Sequence, residues 1–259
     1  GWQITGNFFF FFGFYNGNGN CLTPFPSSAL WLSNSTQFTI ANNIISNTKW
    51  AGILCDGFKT ITISGNRIDQ TIDAGIQIGY PTTGDFNTQQ NGANINNNKI
   101  TNANTSQKVF IGAITLYSNT VSGISITNND ISTSYNGIAV ALSGFSNSAD
   151  TKLINNNNFY CLSPGSFGFT HILFTGATGC TCGTADNLNS YNLTNNYWGA
   201  ASGPTYPTNP TGTGVGLRKE TVAQNGTIYS LNDFGFTPFL TSPVAVNFTT
   251  LTSVACPNQ

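Results

Sequence analysis

The sequence predicts an all-β chain wound as a parallel β-helix, a solenoid of about seven to eight coils with a C-terminal extension. Three observations predict it: a repeat anchored on asparagine, a second column of Gly-Ile pairs, and a composition poor in helix formers. The chain has one Glu and no Met, and only 7% of its residues are charged. Asn, Thr, Ser and Gly supply the polarity instead.

The repeat lies in the segments WQITGNFF, FTIANNII, ITISGNRI, ANINNNKI, ISITNNDI, KLINNNNF and YNLTNNYW, whose sixth residues are Asn7, Asn43, Asn66, Asn98, Asn129, Asn157 and Asn196. Three residues before each anchor stands an aliphatic: Ile4, Ile40, Ile63, Ile95, Ile126, Ile154 and Leu193. Two residues after it stands a large apolar residue: Phe9, Ile45, Ile68, Ile100, Ile131, Phe159 and Trp198. The residue just before it is always Gly or Asn, the types that most readily take positive φ. Each row therefore turns there between two strands, with the flanking apolar residues on one interior face. The anchors themselves are expected to stack as an amide ladder, which is scaffold. Strands AGILC, AGIQI, GAITL and NGIAV form the second column, alternating with period two.

Anchor spacings of 36, 23, 32, 31, 28 and 39 residues place the bare coil at 23. The excesses predict loops at 13–35, 79–92, 103–110, 143–151 and 162–190. Stacked at about 4.8 Å, the coils make a rod of about 35 Å. A β-sandwich is the competing all-β architecture. The residue after each anchor points outward, so Lys99 and Asp130 are expected as neighbours on adjacent coils, a surface pair contributing at most about 1 kcal/mol.

These rows resemble the right-handed parallel β-helix repeats of the pectin-lyase-like superfamily over residues 1–200. The stretch NNYWGAASGPTYPTNPTGTG and the later DFGFTPFL resemble the terminal Tyr-Trp-Gly and Ser-Gly-Pro signature of secreted and surface members, with Phe239 where Trp is usual. The resemblance implies a β-helix over 1–200 and closing loops with an extended β tail over 201–259. It implies no activity, because members include enzymes, surface proteins and accessory proteins.

Chemistry is sparse. The nearest approach to an acidic constellation is Asp56, Asp69 and Asp73 with Arg67 and Lys49. Aligning the Gly-Ile column sets Asp73 between Trp50 and Tyr135 on successive coils, a possible glycan-contact strip. The resemblance implies that a hydrolase would carry a Gly-His-Gly motif, and His171 in FTHILF lacks it. Cys180-Thr-Cys182 is a weak zinc signal without partner pairs. No catalytic residue, metal site or cofactor is expected. A net charge of −1 with eight scattered Lys and Arg does not suit nucleic acid, and no apolar run is long enough for a membrane span.

Six cysteines (Cys21, Cys55, Cys161, Cys180, Cys182 and Cys256) are disulfide candidates, and five sequons (Asn34, Asn104, Asn192, Asn225 and Asn247) are N-glycosylation candidates. Together they suggest an extracellular or cell-surface location. Cys55 shares the inward parity of Ile53, as a buried thiol or in an interior bridge. The chain starts without Met or signal peptide and enters its first row at Trp2, which suggests a processed or partial product. Its first coil carries Phe8, Phe10, Phe11 and Phe12, a run needing cover from loop 13–35 or from another subunit. Beyond the closing segment, VAVNFTTL at 244–251 is a spare β-prone strand, with Val244, Val246 and Phe248 as assembly candidates. The expected function is a non-catalytic extracellular structural protein, a glycosylated subunit of a filament or surface layer that self-associates into a homopolymer. The alternative is a secreted carbohydrate-active or glycan-binding protein.

Overall fold

The computed structural model describes residues 2–12, 28–33, 36–56, 59–79, 90–117, 121–142, 152–175, 191–223 and 233–246. Coil 1 consists of β1 (Trp2–Thr5), β2 (Phe8–Phe12) and β3 (Leu30–Ser33). Coil 2 has β4 (Thr36–Ala41), β5 (Ile44–Thr48) and β6 (Ile53–Asp56), and coil 3 has β7 (Lys59–Ser64), β8 (Arg67–Thr71) and β9 (Ile76–Ile78). Coil 4 has β10 (Gln90–Asn96), β11 (Lys99–Thr101) and β12 (Ile114–Tyr117). Coil 5 has β13 (Val121–Ser122), β14 (Ser125–Thr127), β15 (Asp130–Ser132) and β16 (Ile138–Leu142). Coil 6 has β17 (Lys152–Asn155), β18 (Asn158–Tyr160) and β19 (Phe167–Thr175), and coil 7 has β20 (Tyr191–Asn192) and β21 (Gly216–Ala223).

These strands stack into three parallel sheets. The first runs β1-β4-β7-β10-β14-β17-β20, with β13 beside β10; the second β18-β15-β11-β8-β5-β2; the third β21-β19-β16-β12-β9-β6-β3. Along the first sheet the rows keep register, with Ile40 pairing Ile63, Ile63 pairing Ile95 and Ile95 pairing Ile126; β19 and β21 shift register between Phe167 and Phe169. The chain is a right-handed parallel β-helix, the hand that crossover connections between parallel strands overwhelmingly take.

The anchor repeat explains the register. The residue before each anchor has positive φ in every row: Gly6, Asn42, Gly65, Asn97, Asn128, Asn156 and Asn195. That turn aims each anchor amide at the next coil. Asn66 donates its N–H and its Nδ2 to Asn98 Oδ1, both at 3.0 Å, and Asn98 does the same to Asn129. Each Nδ2 also donates back, as Asn98 does to the carbonyls of Ile63 and Asn96 at 2.9 and 3.1 Å. The ladder runs unbroken from Asn7 to Asn196. Buried amides here lose no hydrogen bond on leaving water, which is the condition for burying them at all.

Inside, three apolar columns stack. Ile40, Ile63, Ile95, Ile126, Ile154 and Leu193 fill the first, Ile45, Ile68, Ile100, Ile131, Phe159 and Trp198 the second, and Ile53, Ile76, Ile114, Ile138 and Phe169 the third; all are 0% exposed. Each such side chain contributes about 1.5–3 kcal/mol by leaving water. Toward the last coils the columns become aromatic: Phe159 stacks on Trp198 at 4.9 Å, and Phe169 meets Phe234 edge-on at 5.2 Å.

Several expectations are adjusted. The stretch 162–190, read as loop, contains the nine-residue β19, because Phe169 continues the inward column of Ile138. The stretch 13–35 contains β3. The solenoid continues past residue 200, since β21 pairs β19. In coil 4 Ala113 and not Gly112 precedes the column isoleucine Ile114, which pairs both Ile76 and Ile138. Lys99 and Asp130 are register neighbours, but Asp130 is 8% exposed and is not a solvated rim charge.

Residues 233–240 close the last coil. Gly235 bridges Asn192, Leu193 N–H donates to Gly235 O at 3.1 Å, and Asn195 N–H donates to Pro238 O at 2.6 Å. Phe234 and Phe236 complete the aromatic core with Tyr206.

Candidate functional site

The strip of Trp50, Asp73 and Tyr135 lies on the turns between the second and third sheets. Asp73 N–H donates to Trp50 O at 3.3 Å, but the next coil then supplies Ala103 and Asn104: Asn104 N–H reaches Asp73 O, and Tyr135 N–H reaches Ala103 O. Asp73 and Tyr135 are therefore one coil further apart than their Gly-Ile frame implies. The 103–110 insertion belongs to the intervening coil 4.

That insertion also changes the chemistry. Lys108 Nζ lies 2.8 and 2.9 Å from the two Asp73 carboxylate oxygens, and Ser106 Oγ donates to one of them at 3.0 Å. Asp73 is 2% exposed, so its carboxylate faces a lysine and not the solvent. The same ammonium stands 5.8 Å from the Trp50 ring centre, a cation–π contact. Trp50 and Phe110 pack with Ala51, Leu54, Ala74 and Ile111 into a small outer core. What remains open to a ligand is a half-buried Trp50, a half-buried Tyr135 and the exposed side of Lys108.

The other acids do not join this group. Asp69 lies on the second sheet, accepting from Thr101 Oγ1 at 2.6 Å and Asn102 Nδ2 at 2.8 Å, whereas Asp56 ends β6 in the third. Arg67 and Lys49 are exposed. Among the described residues no group of three His, Cys, Asp or Glu is placed to hold a metal ion.

A second gathering of titratable groups went unnoticed in the sequence. It lies where the third sheet hands over to the first, at coils 6 and 7. His171 points inward, fully buried, its ring 5.3 Å from Tyr191 in an edge contact. Lys152, also inward and 1% exposed, sets its ammonium 5.4 Å from the same ring. Lys219 is the register neighbour of His171 on β21, and pairs Asp233 at 2.5 Å while Tyr206 Oη donates to that carboxylate at 3.1 Å. The hydrogen bonds from Lys219 and then Tyr206 hold Asp233 below the usual carboxylate range. Burial and the Asp233 contact push Tyr206 up. For Lys219, burial is the largest single effect and pulls down, but the hydrogen bonds and charges of Asp233 and Tyr206 together outweigh it, and the net direction is up. The signal that points to them is period two: Lys152 shares parity with Ile154, and Lys219 with Leu217. The arrangement fastens the closing segment to β21.

The outer face of the second sheet carries Arg67, Lys99, Asp130, Asn158 and Tyr197 in one row. Burial, and then a hydrogen bond with Asp130, raise Tyr160 to about 12. Asn158 grips the C-terminal segment: Val244 N–H donates to its Oδ1 and its Nδ2 donates to Val244 O, both at 2.8 Å.

The modification candidates separate. Asn104 is 0% exposed, with Nδ2 on the carbonyls of Lys108 and Ile111 at 2.8 and 2.7 Å. It builds the turn, and the folded coil has no room for a glycan there. Asn192 is half-buried, its Oδ1 accepting from Thr194 N–H and Oγ1 at 3.1 and 2.7 Å. Asn34, Asn225 and Asn247 lie outside the described residues. Cys55 and Cys161 are free thiols, so neither forms the expected disulfide. Cys55 is wholly buried among the third column, where burial, and secondly the Asp56 charge, push its thiol up and keep it inert. Cys161 is exposed. Cys21, Cys180, Cys182 and Cys256 lie outside the described residues.

Of the assembly candidates, Phe8, Phe10, Phe11 and Phe12 share β2, which pairs β5; their side chains lie outside the described set. Their neighbour Phe9 is half-buried against the core. Val244 and Val246 are half-buried but belong to no strand, because Val244 is paired to a side chain and not to a sheet edge. Phe248 lies outside the described residues.

A family description, "Right handed beta helix region", matches residues 15–84. No curated protein and no solved structure matches the chain.

Proposed function

We propose that this β-helix is a non-catalytic extracellular structural protein, a glycosylated subunit of a filament or surface layer. The observation that carries the reading is the state of coil 1. Its three strands, β1, β2 and β3, each stand at the end of their sheet among the described residues. Such edges offer unpaired backbone groups to another chain. The interior is also incompletely covered there: Ile4, Phe9, Leu30 and Leu32 are half-buried, and Trp31 is 44% exposed. The other end is closed by the chain's own residues 233–240. Strand edges left unpaired at coil 1 among the described residues, opposite an end closed by 233–240, suit a subunit that associates through its coil ends. The surface location and the glycans are supported by the sequons, of which Asn192 keeps partial exposure.

Negative-stain microscopy of native material is the test. Fibres or sheets are expected, and monodisperse single rods under every assembly condition would end the proposal.

A glycan-binding reading is favoured by one observation, the half-open Trp50 beside Lys108. Binding on a glycan array without turnover supports an adhesin. Polysaccharide turnover abolished by Asp73→Asn replaces the structural reading with an enzymatic one.

A further inference from the structure

After the closure, the chain doubles back over the outside of the second sheet. Leu240 N–H is fixed to Asn196 O in coil 7 at 3.0 Å. Thr241, Ser242 and Pro243 follow, all exposed. Val244 then meets the Asn158 amide of coil 6, which accepts from its N–H and donates to its carbonyl. One side chain thus satisfies both backbone groups of one residue, as a neighbouring antiparallel strand does. This contact reads backbone: an extended residue with an N–H fits it whatever its side chain. Asn158 is 3% exposed although it points outward, so the seat is a covered one.

We infer that this seat is an exchange site between copies of the chain. In the assembled state residue 244 of a second copy occupies Asn158, and the displaced tail passes to a further copy. The inference rests on the structural-subunit reading and gives that assembly its contact. The exchanged contact uses the same atoms as the internal one, so the two states differ in chain entropy and protein concentration, the condition for swapping an element between protomers. The connection favours exchange. Three residues join anchors on adjacent coils, and the φ of Pro243 is fixed. A connection this short leaves little slack while the internal contact is made, and the exchanged form lets it extend. Seat and tail are different surfaces, so repeated exchange is heterologous and builds an open chain.

Two full-length variants test this by complementation. Asn158→Ala keeps the tail and lacks the seat, whereas Val244→Pro keeps the seat and lacks the tail N–H. Each alone should elute as a single chain, measured by light scattering. Their mixture should contain a two-chain species absent from either, with the Val244→Pro copy holding the other's tail. Circular dichroism of each variant checks that the solenoid has formed. Asn158→Asp, which loses the donor and sets a carboxylate against the Val244 carbonyl, serves as the seat variant if Asn158→Ala does not fold. A mixture that stays single-chain while the unaltered protein forms fibres overturns the exchange and leaves the structural reading standing. An unaltered protein that stays single-chain at every concentration overturns both.

Discussion

At the residue scale, a side chain's value depends on how many groups it serves. Asn98 accepts two hydrogen bonds from Asn66 and donates to Ile63 O, Asn96 O and Asn129 Oδ1. Truncating it to Ala strands several buried polar groups, each costing about 1–3 kcal/mol. Denaturant unfolding of Asn98→Ala is expected to lose about 3 kcal/mol or more, whereas truncation of exposed Asn94 changes little. Asp73 is a second case. Its carboxylate is buried but Lys108 is 42% exposed, so solvent screens the pair, and Lys108→Ala is expected to cost about 1–2 kcal/mol by leaving the acid uncompensated. A glycan-binding signal that persists in Asp73→Asn would assign recognition to Trp50 and Tyr135. The role of Asn104 was not legible as a sequon, because Asn-x-Ser reads alike on a surface loop and in a buried turn.

At the element scale, the corner between the second and third sheets depends on small residues. A Cβ on Gly137 would collide with the Gly168 carbonyl oxygen and the Phe159 ring, and Gly52, Gly75 and Gly168 face similar obstruction from the neighbouring coil. Stacked backbones leave no space to yield, so Gly137→Ala is expected to cost about 1–3 kcal/mol or more, seen as a lowered denaturant midpoint. The Gly-Ile column was readable because the coil's period-two strands share one inward face. Lys108 was not, since an insertion of eight residues says nothing about which neighbouring coil it folds against.

At the scale of the whole molecule, the clasp of Asp233 with Lys219 and Tyr206 ties the C-terminal closure to the rod. The folded pKa of Asp233 is lowered. Its contribution is therefore present above the ordinary carboxylate range and is lost as pH falls through the lowered folded value. Hydrogen exchange at residues 233–240 is expected to accelerate on acidification through that window. Asp233→Asn should show the faster exchange already at neutral pH and a flatter pH response. A closure whose exchange ignores both changes would mean that the aromatic packing of Phe234 and Phe236 holds it unaided.

What the sequence determined by itself is the coil: turn residue, anchor amide and inward columns recur within each row, so local chemistry repeated seven times specifies strand, turn and register together. Tertiary structure alone decided how each coil's insertions lie on its neighbours. Lys108 reaching back to Asp73, Val244 reaching across to Asn158, and Asp233 meeting Lys219 all join residues that no period relates. Those contacts depend on the stacking of one coil on the next, a geometry that exists only once the rod has formed.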